Sequence, residues 1–289
     1  MPRLKVLISG GGITGNTLAF WLAELGHDVT VVEWFPSLRA SGLQVDLRGH
    51  GIEVMRRMGL EAAVRSKSAP ETGLQVVDKS GRRWAYFPAT QPGGKGGLAN
   101  PKADVGEKKA ALAEIFRGAG WQTEEILKAL QEDVGDFYCE RLGIVKMESW
   151  PRGRLALLGD AAYCPSVKTG MGTTSGMVGA YILAGEIGRH CGRSDTEVAG
   201  GEGDITGGLA NALKAYDDKF RPFMDQVQKG ILEDEGGLDM MPSSAFGIAL
   251  FNCIMGIASF FKVDVIAKFN MRENVKGWDL PDYEEMRRG

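Results

Sequence analysis

Cysteine and histidine are scarce in this chain of 289 residues, which has four of the first and three of the second. Cys139, Cys164, Cys191 and Cys253 stand far apart with no CxxC pair, and His27, His50 and His190 form no ligand-spaced cluster. Reduced thiols and no metal site are expected. An excess of either charge is also missing, with 34 Lys+Arg against 37 Asp+Glu and no long run of one sign. That leaves no basic field for nucleic acid, so no nucleic-acid partner is expected. The first apolar run, LKVLIS, is too short for a signal peptide and runs straight into glycines, which points to a cytoplasmic protein. Long hydrophobic runs are absent except at residues 245–261, AFGIALFNCIMGIASFF, at the lower limit of about 17 residues for a membrane span. Asn252, Gly247 and Gly256 weaken a span, and the reading is a buried or surface-docked helix. Lys262 and Lys268 leave a peripheral membrane contact open.

Glycine, by contrast, is abundant, and its placement carries chemistry. LKVLIS reads as a buried strand, GGGITG as a tight turn, and NTLAFWLAEL as a helix with apolar positions at Leu18, Trp21, Leu22 and Leu25. Gly10, Gly12 and Gly15 fit G-x-G-x-x-G in that strand–turn–helix context. The first permits the turn, the second lets backbone approach a pyrophosphate, and the third lets helix pack on strand. The helix N-terminus then offers free N–H groups to phosphate. HDVTVVE supplies a second strand ending in Glu33, about 20 residues on, where a carboxylate can accept from ribose hydroxyls. These features together define a dinucleotide site.

Further stretches carry a resemblance. WFPSLRASGLQVDLRGHGIEVMRRMGL follows Glu33, and SWPRGRLALLGDAAYCPSVKTGMGTTSGMVGAYILAGEI spans residues 149–187. Both resemble the FAD-binding fingerprints of the aromatic-hydroxylase type of FAD-dependent monooxygenases, the class that includes para-hydroxybenzoate hydroxylase. The resemblance implies an α/β, Rossmann-like FAD-binding domain. It implies that RLALLGD is a strand delivering Asp160 to FAD hydroxyls, and that Gly170, Gly172 and Thr173 lie beside the isoalloxazine and pyrophosphate. Arg39 and Asp46 are implied near the flavin, with His50 close to them. ALKAYDDKFRPFMDQVQK is similar to the helix that follows the second fingerprint, with an acid–Arg–Pro pattern at Asp218, Arg221 and Pro222.

The resemblance breaks in the middle. After GLQVVDKSGRRWAYFPAT the family continues through an Arg-bearing helix, a strand with an Asp-Gly fingerprint, and most of the antiparallel sheet that roofs the substrate pocket. This chain has QPGGKGGLANPKADV instead and contains no Asp-Gly dipeptide at all. The expected organisation is a first part of the FAD domain at 1–88 and a Gly/Pro-rich linker at 89–106. A second part with the GD motif follows at 107–208, and a helical region at 209–289, with the substrate sheet largely missing. Residues 192–208 read as a surface loop before a helix at Leu209.

The expected function is therefore a FAD-dependent monooxygenase. It would use NAD(P)H as transient reductant and O2 to oxygenate a small aromatic or polycyclic metabolite. No catalytic base is identifiable. Tyr163 and Cys164 either face the flavin or merely cap the strand end. Two alternatives stay open: a non-redox metabolite-binding, cyclase, isomerase or accessory protein on the same scaffold, and a chain that has lost an internal segment through splicing. A partner chain or self-association covering the flavin face is a further expectation.

Overall fold

The computed structural model describes residues 3–36, 46–67, 73–78, 80–88, 105–132, 137, 143–192, 205–229, 242, 244–261, 273 and 275–287. Strand β1 (Lys5–Ser9) pairs in parallel with β2 (Asp28–Val32), Lys5 opposite Asp28 and Ser9 opposite Val32. Helix α1 (Ile13–Glu24) makes the crossover that a parallel pair requires. It buries Leu18, Trp21 and Leu22, the stripe read from the sequence.

Two short helices follow, α2 (Gly49–Arg57) and α3 (Glu61–Lys67). The antiparallel hairpin β3 (Gly73–Val77) and β4 (Arg83–Pro88) comes next. Its turn is held by Asp78, whose Oδ1 accepts from the backbone N–H groups of Ser80 and Arg82 and from the Ser80 hydroxyl. Oδ2 accepts from the Trp84 indole. These donors hold the carboxyl down at about 2. Helices α4 (Val105–Phe116) and α5 (Thr123–Gln131) lead to a small pair, β5 (Pro151–Arg152) with β6 (Leu155–Ala156). The expected linker lies mostly in 89–104, outside the described residues.

After α6 (Asp160–Tyr163) comes α7 (Gly172–Cys191), buried on almost every side. A helix that is apolar all round must be enclosed by others, and α1, α2, α8 (Ile205–Val227) and the C-terminal tail enclose it. Small residues let them close in, as where Gly185 lies flat against the Tyr283 ring. Glu186 of α7 is fully buried, accepting from Lys219 Nζ at 2.5 Å and from the Tyr283 hydroxyl at 2.7 Å. This ties α7, α8 and tail together. Burial and the Glu186 carboxylate both push the Tyr283 phenol far up.

Two expectations change. Helix α8 starts at Ile205 rather than Leu209 and runs through Pro222. Arg221 pairs with Asp217 one turn back, while Asp218 pairs with Lys214. RLALLGD yields only the two-residue β6, which pairs with β5 and not with the parallel sheet. The apolar run forms α9 (Ala245–Phe260), capped by Ser244, which buries Asn252 and seats Met255 against Ala85 and Phe87 of β4. Ser259 bonds both the N–H and the carbonyl of Tyr86. Among the described residues, no helix is long and apolar enough to cross a membrane.

Candidate functional site

The turn between β1 and α1 is built around three glycines with three different jobs. Gly10 sits at φ +115°, a region side chains avoid, and donates its N–H to the Val32 carbonyl. Gly15 lies so close to Gly10 that a Cβ there would overlap the Gly10 carbonyl oxygen and come within 3.3 Å of Ile8. Gly12, the N-cap of α1, faces open space, with nothing within 4 Å of where a Cβ would stand. The first two satisfy the protein itself. Gly12 leaves room for something else.

Helix α1 has no acidic residue in its first turn and no side-chain cap, so its leading N–H groups are offered outward. The same holds for α7, which begins at Gly172 after Met171. Both N-termini open on one cavity of about 1060 Å³, lined by Gly10, Gly12, Gly15, Asp46, Asp160, Gly170, Gly172 and Thr173. Eight of the ten residues expected from the sequence thus share one wall system. Glu33 sits beside it, where its carboxylate accepts from Gly11 N–H at 2.7 Å and Phe35 N–H at 3.0 Å and fastens the end of β2 to the glycine turn. Arg39 lies outside the described residues.

His50 is not at the cavity. Its ring pairs with Glu273, whose Oε2 also accepts the His50 N–H at 2.7 Å, and packs edge-on against Phe223 and Trp278. His50, implied near the flavin, is instead a buttress between α2 and the tail. Tyr163 is fully buried against Trp150 and Phe220, and burial pushes its phenol up to about 12. Cys164 does line the cavity, its thiol pushed up by burial and also by the Asp160 charge.

Two residues escaped the sequence reading. Thr14 wedges between the two fingerprints, its Oγ1 filling the space where Gly159 would carry a Cβ, 2.8 Å away, and also facing Gly176. Arg48 reaches across 121 positions to the Thr169 carbonyl at 3.3 Å and pairs with Asp46 at 2.9 Å. Its backbone N–H donates to Thr174 Oγ1 at 2.9 Å. A Cβ on Gly170, at φ +60°, would strike the Arg48 guanidinium. Thr14 is an unspecified position of G-x-G-x-x-G, so the motif gives no signal for it. Arg48 follows VDL directly and could have been weighed beside Arg39.

Among the described residues, the titratable side chains on the cavity are Lys5, Asp46, Arg154, Asp160 and Cys164. Two uncapped helix starts, an open glycine, a carboxylate just past β2 and another at the start of α6 fit a dinucleotide: phosphates at the N–H groups, hydroxyls at the acids.

A parallel β-α-β turn with this cradle defines a dinucleotide-binding protein. The family model described as pyridine nucleotide-disulphide oxidoreductase matches residues 5–79. "FAD-dependent monooxygenase asL4" of Sarocladium schorii is 35% identical over 428 positions, covering 99% of this chain and 99% of the relative. "FAD-dependent monooxygenase asL6" of the same fungus is 26% identical, covering 98% and 99%. The chain belongs to the FAD-dependent monooxygenase family. Among solved structures, tetracycline destructase Tet(55) superposes with a TM-score of 0.69 at 21% identity, covering 98% of this chain and 100% of that one. Klebsiella pneumoniae HpxO complexed with FAD and uric acid gives 0.57 at 13% identity, covering 93% and 96%. These bear out the expected fold. The alignment with asL4 is longer than this chain, so at least 139 of its positions lie opposite no residue here.

Proposed function

We propose that the cavity is a FAD seat, and that the chain is a monooxygenase using NAD(P)H and O2 on a small aromatic or polycyclic metabolite. The observation that carries this is the convergence of the α1 and α7 N-termini, Gly12 and Asp160 on one cavity. When bound, FAD supplies the two-electron chemistry and the O2 activation. The chain's own residues do the holding. The N–H groups ahead of α1 take the pyrophosphate, and Asp160 and Glu33 accept from hydroxyls. The N–H groups of Gly172 and Thr173 favour negative charge at the far end of the cavity. Arg48, through Thr169 and Gly170, fixes the loop that aims them.

Exclusion of water is the weak part. We propose that residues 89–106 stand where the relatives carry the roofing segment, which the unmatched alignment positions support. Leu7 on the sheet face is 69% exposed and Leu155 59% exposed. Oxygen transfer by a flavin needs a dry site. The protein works in the cytoplasm, with α9 kept on β4 by Met255 and Ser259 rather than seated on a membrane.

The test is spectroscopic and then stoichiometric. The purified chain should bind FAD, and NADPH should bleach it. In air, hydrogen peroxide should appear in near-equal amount to the NADPH consumed. Stoichiometric oxygenated product from the chain alone would overturn the open-site reading, and a chain that takes up no FAD would overturn the assignment.

A further inference from the structure

The cavity is larger than the glycine cradle, and its other half runs the whole length of β1. Residues Leu4 to Ser9 form one wall and Arg154 to Asp160 the facing one. Between them the floor is apolar, made of Leu18 and Leu22 from α1, Leu183 from α7, and Leu209 and Leu213 from α8.

The backbone of β1 states what this slot lacks. Asp28 N–H donates to the Leu4 carbonyl at 2.8 Å, and Gly10 N–H to the Val32 carbonyl at 2.7 Å. Main-chain groups alternate sides along a strand, so Leu4, Val6, Ile8 and Gly10 point at β2 while Lys5, Leu7 and Ser9 point into the slot. Among the described residues β1 pairs with β2 alone, and β6 with β5 alone. A row of strand N–H and C=O groups facing an apolar floor calls for another strand, because an apolar small molecule cannot satisfy them. Direction is fixed as well. β1 ends at Ser9 and leads into the Gly10 turn, residues 155–158 lead into Gly159, and Thr14, just after the first turn, packs on Gly159, so the two walls run the same way. The outer face agrees: parallel sheets are covered on both faces, yet Leu7 is largely bare.

We propose that this slot takes a parallel β-strand from another polypeptide, one carrying the counterpart of the stretch that asL4 has and this chain lacks. The chain is then one half of a two-chain enzyme. The proposal rests on the monooxygenase reading above, and its occupant is argued from the at least 139 alignment positions without a residue here. A second copy of this chain lacks the same stretch.

The experiment mixes the full chain with a separately produced fragment comprising those unmatched positions of asL4. The two should co-elute one to one. Amide exchange at Leu7 and Ser9 should slow at least tenfold on mixing, while Val6 and Ile8, already bonded to β2, change little. Leu7→Pro removes a slot-facing N–H without touching the bonds to β2, and should abolish co-elution. If circular dichroism shows that variant unfolded, a fragment with proline at the centre of its strand makes the same test on the other partner and should likewise fail to bind. Unchanged exchange at Leu7 and Ser9 with the fragment, binding that survives the proline fragment, or protection of those amides by self-association would each overturn the proposal. Titration of the chain alone with FAD separates the two readings. Flavin binding without fragment binding sinks this inference only, whereas failure to take up FAD sinks the functional assignment.

Discussion

Replacing Gly12 and Gly15 separately by alanine separates a glycine kept for a ligand from one kept for packing. At Gly12 the backbone is at φ −72° and ψ −173°, which any residue adopts, and a Cβ meets nothing within 4 Å. The cost to the fold is that of a poorer N-cap, about 0.5–1 kcal/mol. At Gly15 the same methyl overlaps the Gly10 carbonyl and presses on Ile8, and backbone cannot swing aside as a long side chain can. Overpacking of this kind costs about 1–3 kcal/mol, and a collision with backbone belongs at the upper end. At about 2–4 °C per kcal/mol for a chain of this size, Gly15→Ala should melt several degrees earlier and Gly12→Ala no more than a few. The order reverses in affinity relative to that damage. Gly12→Ala puts its methyl where the pyrophosphate approaches the turn, and FAD affinity should fall at least about tenfold, or 1.4 kcal/mol, in a protein that is otherwise intact. Differential scanning calorimetry and FAD titration of the two apoproteins read both quantities. If Gly12→Ala binds FAD as tightly as the parent, the open space at Gly12 is not the pyrophosphate site and the cradle has been misread.

Three further outcomes are expected. Asp160→Ala removes a charge-assisted acceptor worth about 1.5–3 kcal/mol, so the dissociation constant for FAD should rise at least about tenfold in the same titration. Asp78 has its folded pKa depressed from 3.8 to about 2, so its contribution to the hairpin is complete above the upper value and is lost as pH falls through the lower. Trp84 fluorescence should therefore change across that acid window, and Asp78→Asn should remove the step. Lys219→Met removes the nearest cation of the buried Glu186, and because Arg189 stays within 3.7 Å the loss in urea denaturation should fall below the about 3–5 kcal/mol of a fully uncompensated buried charge. Lys214→Met, which breaks only the exposed, solvent-screened pair with Asp218, should leave the denaturation midpoint essentially unchanged.

Local chemistry made the first fingerprint legible. A strand, a turn needing a positive φ, and a helix start follow one another directly along the chain, and their order follows from backbone sterics alone. What the sequence hid is non-local. His50 meets Glu273 across 223 positions, and Arg48 meets Thr169 across 121, and no periodicity encodes such pairs. The ion pair of Arg221 with Asp217 was within reach, since four residues apart is one helical turn. RLALLGD shows a different limit. An apolar run of that length says that a segment can be a strand and says nothing of which neighbour will pair with it. Here residues 157 and 158 follow β6 with no strand beside them among the described residues, so the run approaches the cavity as an extended wall.

Helix α7, one of the two that aim at the cavity, does not depend on the sheet for its position. Helix α7 is fixed by α1, α2 and α8 and by the Glu186 carboxylate, and the tail locks on through Tyr283, Trp278 and the Glu273–His50 pair. A chain built this way keeps the α7 N-terminus in register even where β1 has only one neighbour. Cofactor binding and water exclusion therefore reside in physically separate parts. The helical core holds the first, while the second depends on the strand edge at Lys5, Leu7 and Ser9. Supplying that edge with a strand should change the coupling of NADPH oxidation to oxygen transfer far more than it changes FAD affinity, because the added strand touches the exposed slot and leaves the glycine cradle as it stands.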